Sequence, residues 1–298
     1  MIFSENRCTL FGIMLVSPKH PQSRRRQMVH RPAMIRDQDK IEIRLTREAE
    51  YRLPFTFIEA LNEGTLFDRP AHVFRDAARQ HRLFHVVNRT TENILGTGVV
   101  QPTSGGDKSP AQAEEVGGLM VHPAAREFGI ASLLVKVMML YAIRESGRDA
   151  PDEQYLAHVV DGNGCPIHAL LESGFTPAGH VDIHRGDIDA VIDHMLKDGE
   201  SQVRLQAFVF DRQALGNLVL SLWTFVRQDR GLITRSDGAG DIRVTVDFSH
   251  VIPPAHLDAQ VEAQARSGGT CLKCEPDIHC AALIPSAWAM SASCRAAR

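Results

Sequence analysis

The stretch Glu114–Leu134, EEVGGLMVHPAAREFGIASLL, constrains the chain most, because an apolar run with two small residues passes through a proline into a long apolar segment. Val116 to Val121 has the composition of a buried strand, Pro123 removes a backbone donor and ends it, and Ile130 onward reads as helix. The first helical turn is expected near Arg126. A helix start leaves about four backbone N–H groups without intrahelical acceptors and carries roughly half a positive charge, so it attracts an anion such as a pyrophosphate. Gly129 lets a ligand approach the backbone, Ala131 adds little bulk, and Arg126 is charged at every accessible pH.

A second segment of related form lies downstream. Tyr155–Val160 reads as a strand, Asp161 and Asn163 sit in a turn, and a short helix stops at Ser173-Gly174-Phe175, with Gly174 placed for a left-handed backbone. Arg-x-x-Gly-x-Ala after a strand, with Val-x-Pro before it and the strand-helix-Gly-Phe segment beyond, resembles the GNAT (Gcn5-related) N-acetyltransferase superfamily. The resemblance implies an α/β fold of the α+β kind: a mixed, mainly antiparallel twisted sheet flanked by helices, in the order β-α-α-β-β-β-α-β-α-β-β over about Ile41 to Asp211. It also implies acetyl-CoA as co-substrate and an amine as acceptor. The cofactor contacts it implies are Met120, Val121, Arg126, Glu127, Phe128, Gly129, Ile130, Ala131, Ser132 and Asn163.

Acetyl transfer to an amine needs a group to take the amine proton and donors for the developing oxyanion. Glu115 matches the position where some members of the family carry a catalytic glutamate. The alternative is that Glu114 and Glu115 are solvated ends of a loop. His122 competes as base, with an ordinary pKa near 6.5, and His85 is a weaker competitor. The chain departs from the family where many members carry a tyrosine as general acid, about five residues before the Gly-Phe phenylalanine, because that position is Leu170. Cys165, His168 or a water is left to protonate the departing thiolate, and core packing is the favoured role for Cys165. Without the tyrosine, a second reading is a non-catalytic acyl-CoA-binding module with a C-terminal interaction region.

The rest of the chain follows from periodicity and composition. Ile41–Leu45 alternates as a strand, Glu48–Leu61 and Ala71–Gln80 have helical patterns, and Leu83–Val87 and Ile94–Val100 form an antiparallel pair across the polar turn Asn88–Asn93. Gly105 to Pro110 forms a loop. After Phe175, strands are expected at Gly179–Ile183 and Val203–Phe210, with an acidic helix over Ile188–Leu196 between them. Asp182, Asp187, Asp189 and Asp193 there suit either a cationic acceptor or a solvated helix face. Beyond the acetyltransferase-like region, Gln213–Val226 reads as helix, Ile242–Phe248 as strand and Ala255–Arg266 as helix.

A chain of 298 residues with 44% hydrophobic content is long for one such fold, so additions are expected at both ends. The expected division is a disordered arm over 1–36, the acetyltransferase-like domain over 37–211, an α/β extension over 212–268 and a disordered tail over 269–298. The arm carries Arg24-Arg25-Arg26, and Met28 or Met34 is an alternative start. A net charge of −3 argues against a globally basic nucleic-acid binder. No apolar run approaches the roughly 20 residues that span a bilayer, and Leu10–Val16 lacks the flanks of a signal peptide, so a cytoplasmic protein is expected. Of the 6 cysteines, Cys271, Cys274, Cys280 and Cys294 crowd near His279. These are zinc-ligand types, but adjacent His279 and Cys280 rarely reach one ion together, and no metal is expected.

Overall fold

The computed structural model describes residues 12–13, 35–62, 66, 69–102, 113–146, 155–161, 163–184, 196, 201–236 and 240–266. After a two-residue strand β1 (Gly12–Ile13), the alternating KIEIRL segment forms β2 (Lys40–Leu45), and a 3-10 turn leads to α1 (Arg52–Leu61) and α2 (Ala71–Arg79). β3 (Leu83–Asn88), β4 (Asn93–Pro102) and β5 (Glu114–Val121) follow, then α3 (Ile130–Glu145), β6 (Tyr155–Val160), α4 (Gly164–Glu172), β7 (Phe175–His184) and β8 (Gln202–Phe210). From β2 to β8 this is the expected order. β7 starts at Phe175 rather than Gly179, and the helix expected over Ile188–Leu196 lies, apart from Leu196, outside the described residues.

Short-range chemistry fixes several of these elements. Asn88 ends β3 and accepts from the backbone N–H of Thr90 and Thr91 through Oδ1, while its Nδ2 donates to Asp39 at 2.6 Å. That Asx turn reverses the chain into β4. α3 is apolar on every side and is buried around nearly its whole circumference, as a central helix must be. The expected left-handed stop after α4 is present, with Gly174 at φ +93°.

With β9 (Leu232–Ser236) and β10 (Asp241–Asp247) from the C-terminal region, the strands form one sheet in the order β7-β8-β6-β5-β4-β3-β2-β10-β9, mostly antiparallel. Two cores flank it. α1 and α2 cover one face through Phe57, Ile58, Phe74 and Ala78, and α3 and α4, with α5 (Leu215–Arg227) and α6 (Pro254–Arg266), pack on the other, whose core includes Val116, Tyr155, Ala157 and Phe208.

The C-terminal extension belongs to this sheet. α5 (Leu215–Arg227) leads into β9 (Leu232–Ser236) and β10 (Asp241–Asp247), and β10 pairs in parallel with β2 through Thr245–Asp247. α6 (Pro254–Arg266) then packs on α5, where Trp223 Nε1 donates to Asp258 Oδ1 at 3.0 Å and Arg227 forms an ion pair with the same carboxylate. β9 is absent from the sequence reading because five residues alternating only once around Ile233 carry little periodic signal. At the other end, within the stretch expected as an arm, Gly12–Ile13 pairs in parallel with His158 and Val159 of β6.

Candidate active site

Two features of β5 shape the site. Opposite β4, Thr97 pairs with Met120 and Val99 with Gly117, so β5 holds one extra residue over this span. Gly118 sits in that bulge at φ +57°, a backbone region open to glycine at no steric cost. A bulge bends its strand, and β5 meets β6 in parallel only at Glu114–Tyr155 and Glu115–Leu156 before the two part. The result is a cleft that widens toward the carboxyl ends of both strands and is partly filled by β1, which contacts both of them. α3 and α4 begin at that open end, and β1 lies on the β6 edge within it.

The junction before α3 differs from the sequence expectation. His122 caps a separate 3-10 turn, Pro123–Phe128, accepting at Nδ1 from the N–H of Ala124 at 3.2 Å. Gly129 then adopts a left-handed conformation, φ +66°, and α3 starts at Ile130 rather than near Arg126. A left-handed residue cannot continue a right-handed helix, so the helix-start N–H groups fall at Ile130, Ala131 and Ser132. The first intrahelical bond, from Leu133 N–H to Gly129 O, agrees with this count.

The candidate cofactor residues occupy this end in different ways. The side chains of Met120, Val121, Phe128 and Ile130 are buried in the cores. Ala131 and Ser132 are nearly buried, and Ser132 Oγ donates to Glu172 of α4 at 2.5 Å. Arg126 is partly exposed, with Nε 3.4 Å from Val121 O, and Glu127 is exposed and paired with Arg235. Asn163 caps α4, half-buried, its N–H donating to Val160 O at the end of β6.

At the closed end of the cleft the two acidic residues are buried and divided between the faces, not solvated. Arg82 Nη1 donates to Glu114 at 2.6 Å. Glu115, 1% exposed, lies 2.8 Å from Nδ1 of His158, which is itself buried. His158 is two residues beyond Leu156, the register partner of Glu115, so both side chains project from the same face, toward α1 and α2. An ionised carboxylate only accepts hydrogen bonds, so with Glu115 ionised the ring proton sits on Nδ1 and Nε2 carries the free lone pair. Sequence reading missed His158 because the register of β5 against β6 decides its neighbour, and nothing local in YLAHVV reports it.

The competing bases stand elsewhere. His122 is seven residues along β5 from Glu115, roughly 20 Å of strand, so the two do not serve one centre. His85 is fully buried, accepts at Nε2 from Arg44 Nε at 2.8 Å and has Thr46 Oγ1 2.8 Å from Nδ1. Burial first, and the Arg44 charge second, lower its pKa to about 4. The unfolded chain binds this proton near pH 6.5 and the folded chain only near 4. Stability from this group is therefore complete above about pH 6.5 and declines by about 3 kcal/mol as pH falls toward 4. Urea unfolding across that range is expected to show the decline, and His85→Leu to flatten it.

α4 supplies a further correction. Cys165, expected in the core, is exposed, because Pro166, Ala169 and Leu170 form the inward face of the helix. His168 is exposed too and pairs with Glu172 at 3.1 Å. Leu170 is fully buried. The cysteines at 271, 274, 280 and 294 lie outside the described residues.

A scan against protein-family models gives no match, and neither does a search of curated proteins. Among solved structures, the chain is similar to an N-acetyltransferase from Staphylococcus aureus Mu50 at 14% identity and TM-score 0.41, over 57% of this chain and 97% of that one. It is similar to Arabidopsis thaliana NAA60 in complex with acetyl-CoA at 15% and 0.43, over 58% and 99%. A ribosomal-protein-S5-alanine acetyltransferase from Vibrio fischeri gives 15% and 0.40, over 57% and 93%. No helix among the described residues is long and apolar enough to cross a membrane.

Proposed function

We propose that the chain is an acetyltransferase that moves an acetyl group from acetyl-CoA to the amine of a small molecule or peptide by direct attack. The observation that carries the proposal is the cleft itself: two parallel strands part at a glycine bulge, an anion-attracting helix start lies at the open end, and a buried carboxylate–imidazole pair lies at the closed end. The donors at Ile130, Ala131 and Ser132 suit the pyrophosphate. Between there and Glu115 run about six residues of β5, whose edge toward β6 suits the two amides of an extended pantetheine arm once β1 is displaced. The thioester then reaches the closed end, where Nε2 of His158 takes the proton of the attacking amine. Glu115 fixes the ring and its tautomer and stabilises the imidazolium that forms. The thiolate takes a proton from water, since Leu170 offers none, and the His158 imidazolium returns its proton to solvent.

Thiol release from acetyl-CoA over a panel of primary amines tests this reading. Saturable acetyl-CoA binding with no release on any amine favours instead the acyl-CoA-binding module, to which the buried Leu170 lends support.

Gly12–Ile13 hold the part of the β6 edge next to His158 and Val159, so the arm pairs there only after β1 leaves. Apparent affinity is the intrinsic affinity multiplied by the fraction of molecules with the edge open. A chain starting at Met34 is expected to bind acetyl-CoA about threefold or more tightly than the full chain in calorimetric titration. Equal affinities would show that β1 does not compete.

A further inference from the structure

The C-terminal extension places one cation against the anion-attracting turn. In β9, Ile233 points into the main core, and Arg235, two residues on, projects from the same face at its rim. Its Nη2 lies 2.5 Å from Glu127 Oε2, and its guanidinium stands over the Phe128 ring, 5.4 Å from the centroid. Glu127 and Phe128 are the two residues before Gly129. The Arg235 Nε–H is shielded from solvent and has no acceptor among the described residues, while the side chain is 27% exposed, so a phosphate can reach the guanidinium only through its outer nitrogens.

We propose that Arg235 is a phosphate-binding residue of the cofactor site, supplied by the extension that follows the acetyltransferase-like region. This rests on the reading of the Gly129 turn as the pyrophosphate site. Arg126 and Glu127 cancel in charge, and a carboxylate beside the turn repels a phosphate. Arg235 neutralises that carboxylate and presents a planar fork matched to phosphate oxygens, held in place by the Phe128 ring. The role assigns a purpose to β9 and β10, since β10 pairs with β2 and β9 with β10, and this carries Arg235 to the turn.

A structural ion pair and a phosphate ligand predict opposite behaviour for the two partners. If the pair only ties β9 to the turn, Arg235→Gln and Glu127→Gln have the same consequence. If Arg235 binds phosphate, Arg235→Gln weakens acetyl-CoA about tenfold, while Glu127→Gln frees the guanidinium and tightens binding about twofold. Acetyl-pantetheine, which lacks the pyrophosphate and the 3′-phosphate, is the control ligand, and Arg235→Gln is expected to leave its affinity unchanged. Arg235→Lys, which keeps the charge without the fork, is expected to recover part of the loss. Thermal melts of each variant confirm that the fold is retained.

Equal losses in the two glutamine variants, an unchanged Arg235→Gln, or a loss shared by acetyl-pantetheine each overturn the role of Arg235 and leave the turn as the site. A wild-type chain that does not bind acetyl-CoA overturns the underlying reading together with it.

Discussion

Glu115→Gln is expected to lower kcat by about 10² to 10⁴ while leaving acetyl-CoA affinity near the wild-type value. The carboxylate lies 2.8 Å from His158 Nδ1 and is buried, so it holds the imidazole in place. A glutamine fills the same space, yet its amide can donate to the ring as well as accept from it. Donation turns the imidazole into the other tautomer, with the proton on Nε2 where the amine proton must arrive. The charge that stabilises the imidazolium is lost in the same substitution.

Because the pair acts as a unit, His158→Gln is expected to lose about as much, and the double variant little more than either single one. Steady-state kinetics of the three variants, with calorimetric titration of acetyl-CoA alongside, make the test. Independent, multiplying losses would show that Glu115 and His158 act on separate steps. Normal turnover in Glu115→Gln would remove the pair from the chemistry.

How much of this was legible in the sequence depended on whether the information was local. The strand, proline, glycine and apolar helix around Gly129 are written in consecutive residues, as are the Asn88 turn and the Gly174 stop, and these elements stand where periodicity and turn chemistry put them. The shift of the helix start from Arg126 to Ile130 was missed because Pro123 can open either an α-helix or a 3-10 turn. Only the left-handed Gly129 decides between them. Pairing information was invisible. His158 beside Glu115, Arg235 beside Glu127 and β10 beside β2 join residues 43, 108 and about 200 positions apart, and no propensity scale reports such neighbours. Cys165 shows the same limit on a smaller scale, since the inward face of α4 is set by Ala169 and Leu170 meeting α3.

Gly129→Glu is expected to abolish acetyl-CoA binding, with at least about a hundredfold loss of affinity, equivalent to about 2.7 kcal/mol. Gly129 holds φ +66°, so any side chain there carries left-handed strain of about 1 to 2 kcal/mol. That strain is small beside the total stability of a typical domain, about 5 to 15 kcal/mol, and the variant is expected to stay folded. Gly129→Ala separates the two contributions, because it introduces the same strain without charge. It is expected to lower the melting temperature about as much as the glutamate while retaining most of the affinity. The difference between the two variants then measures the carboxylate set against the donors of Ile130, Ala131 and Ser132. If Gly129→Glu binds acetyl-CoA as well as the wild type does, the phosphates lie elsewhere, and neither the turn nor Arg235 has the role assigned to it.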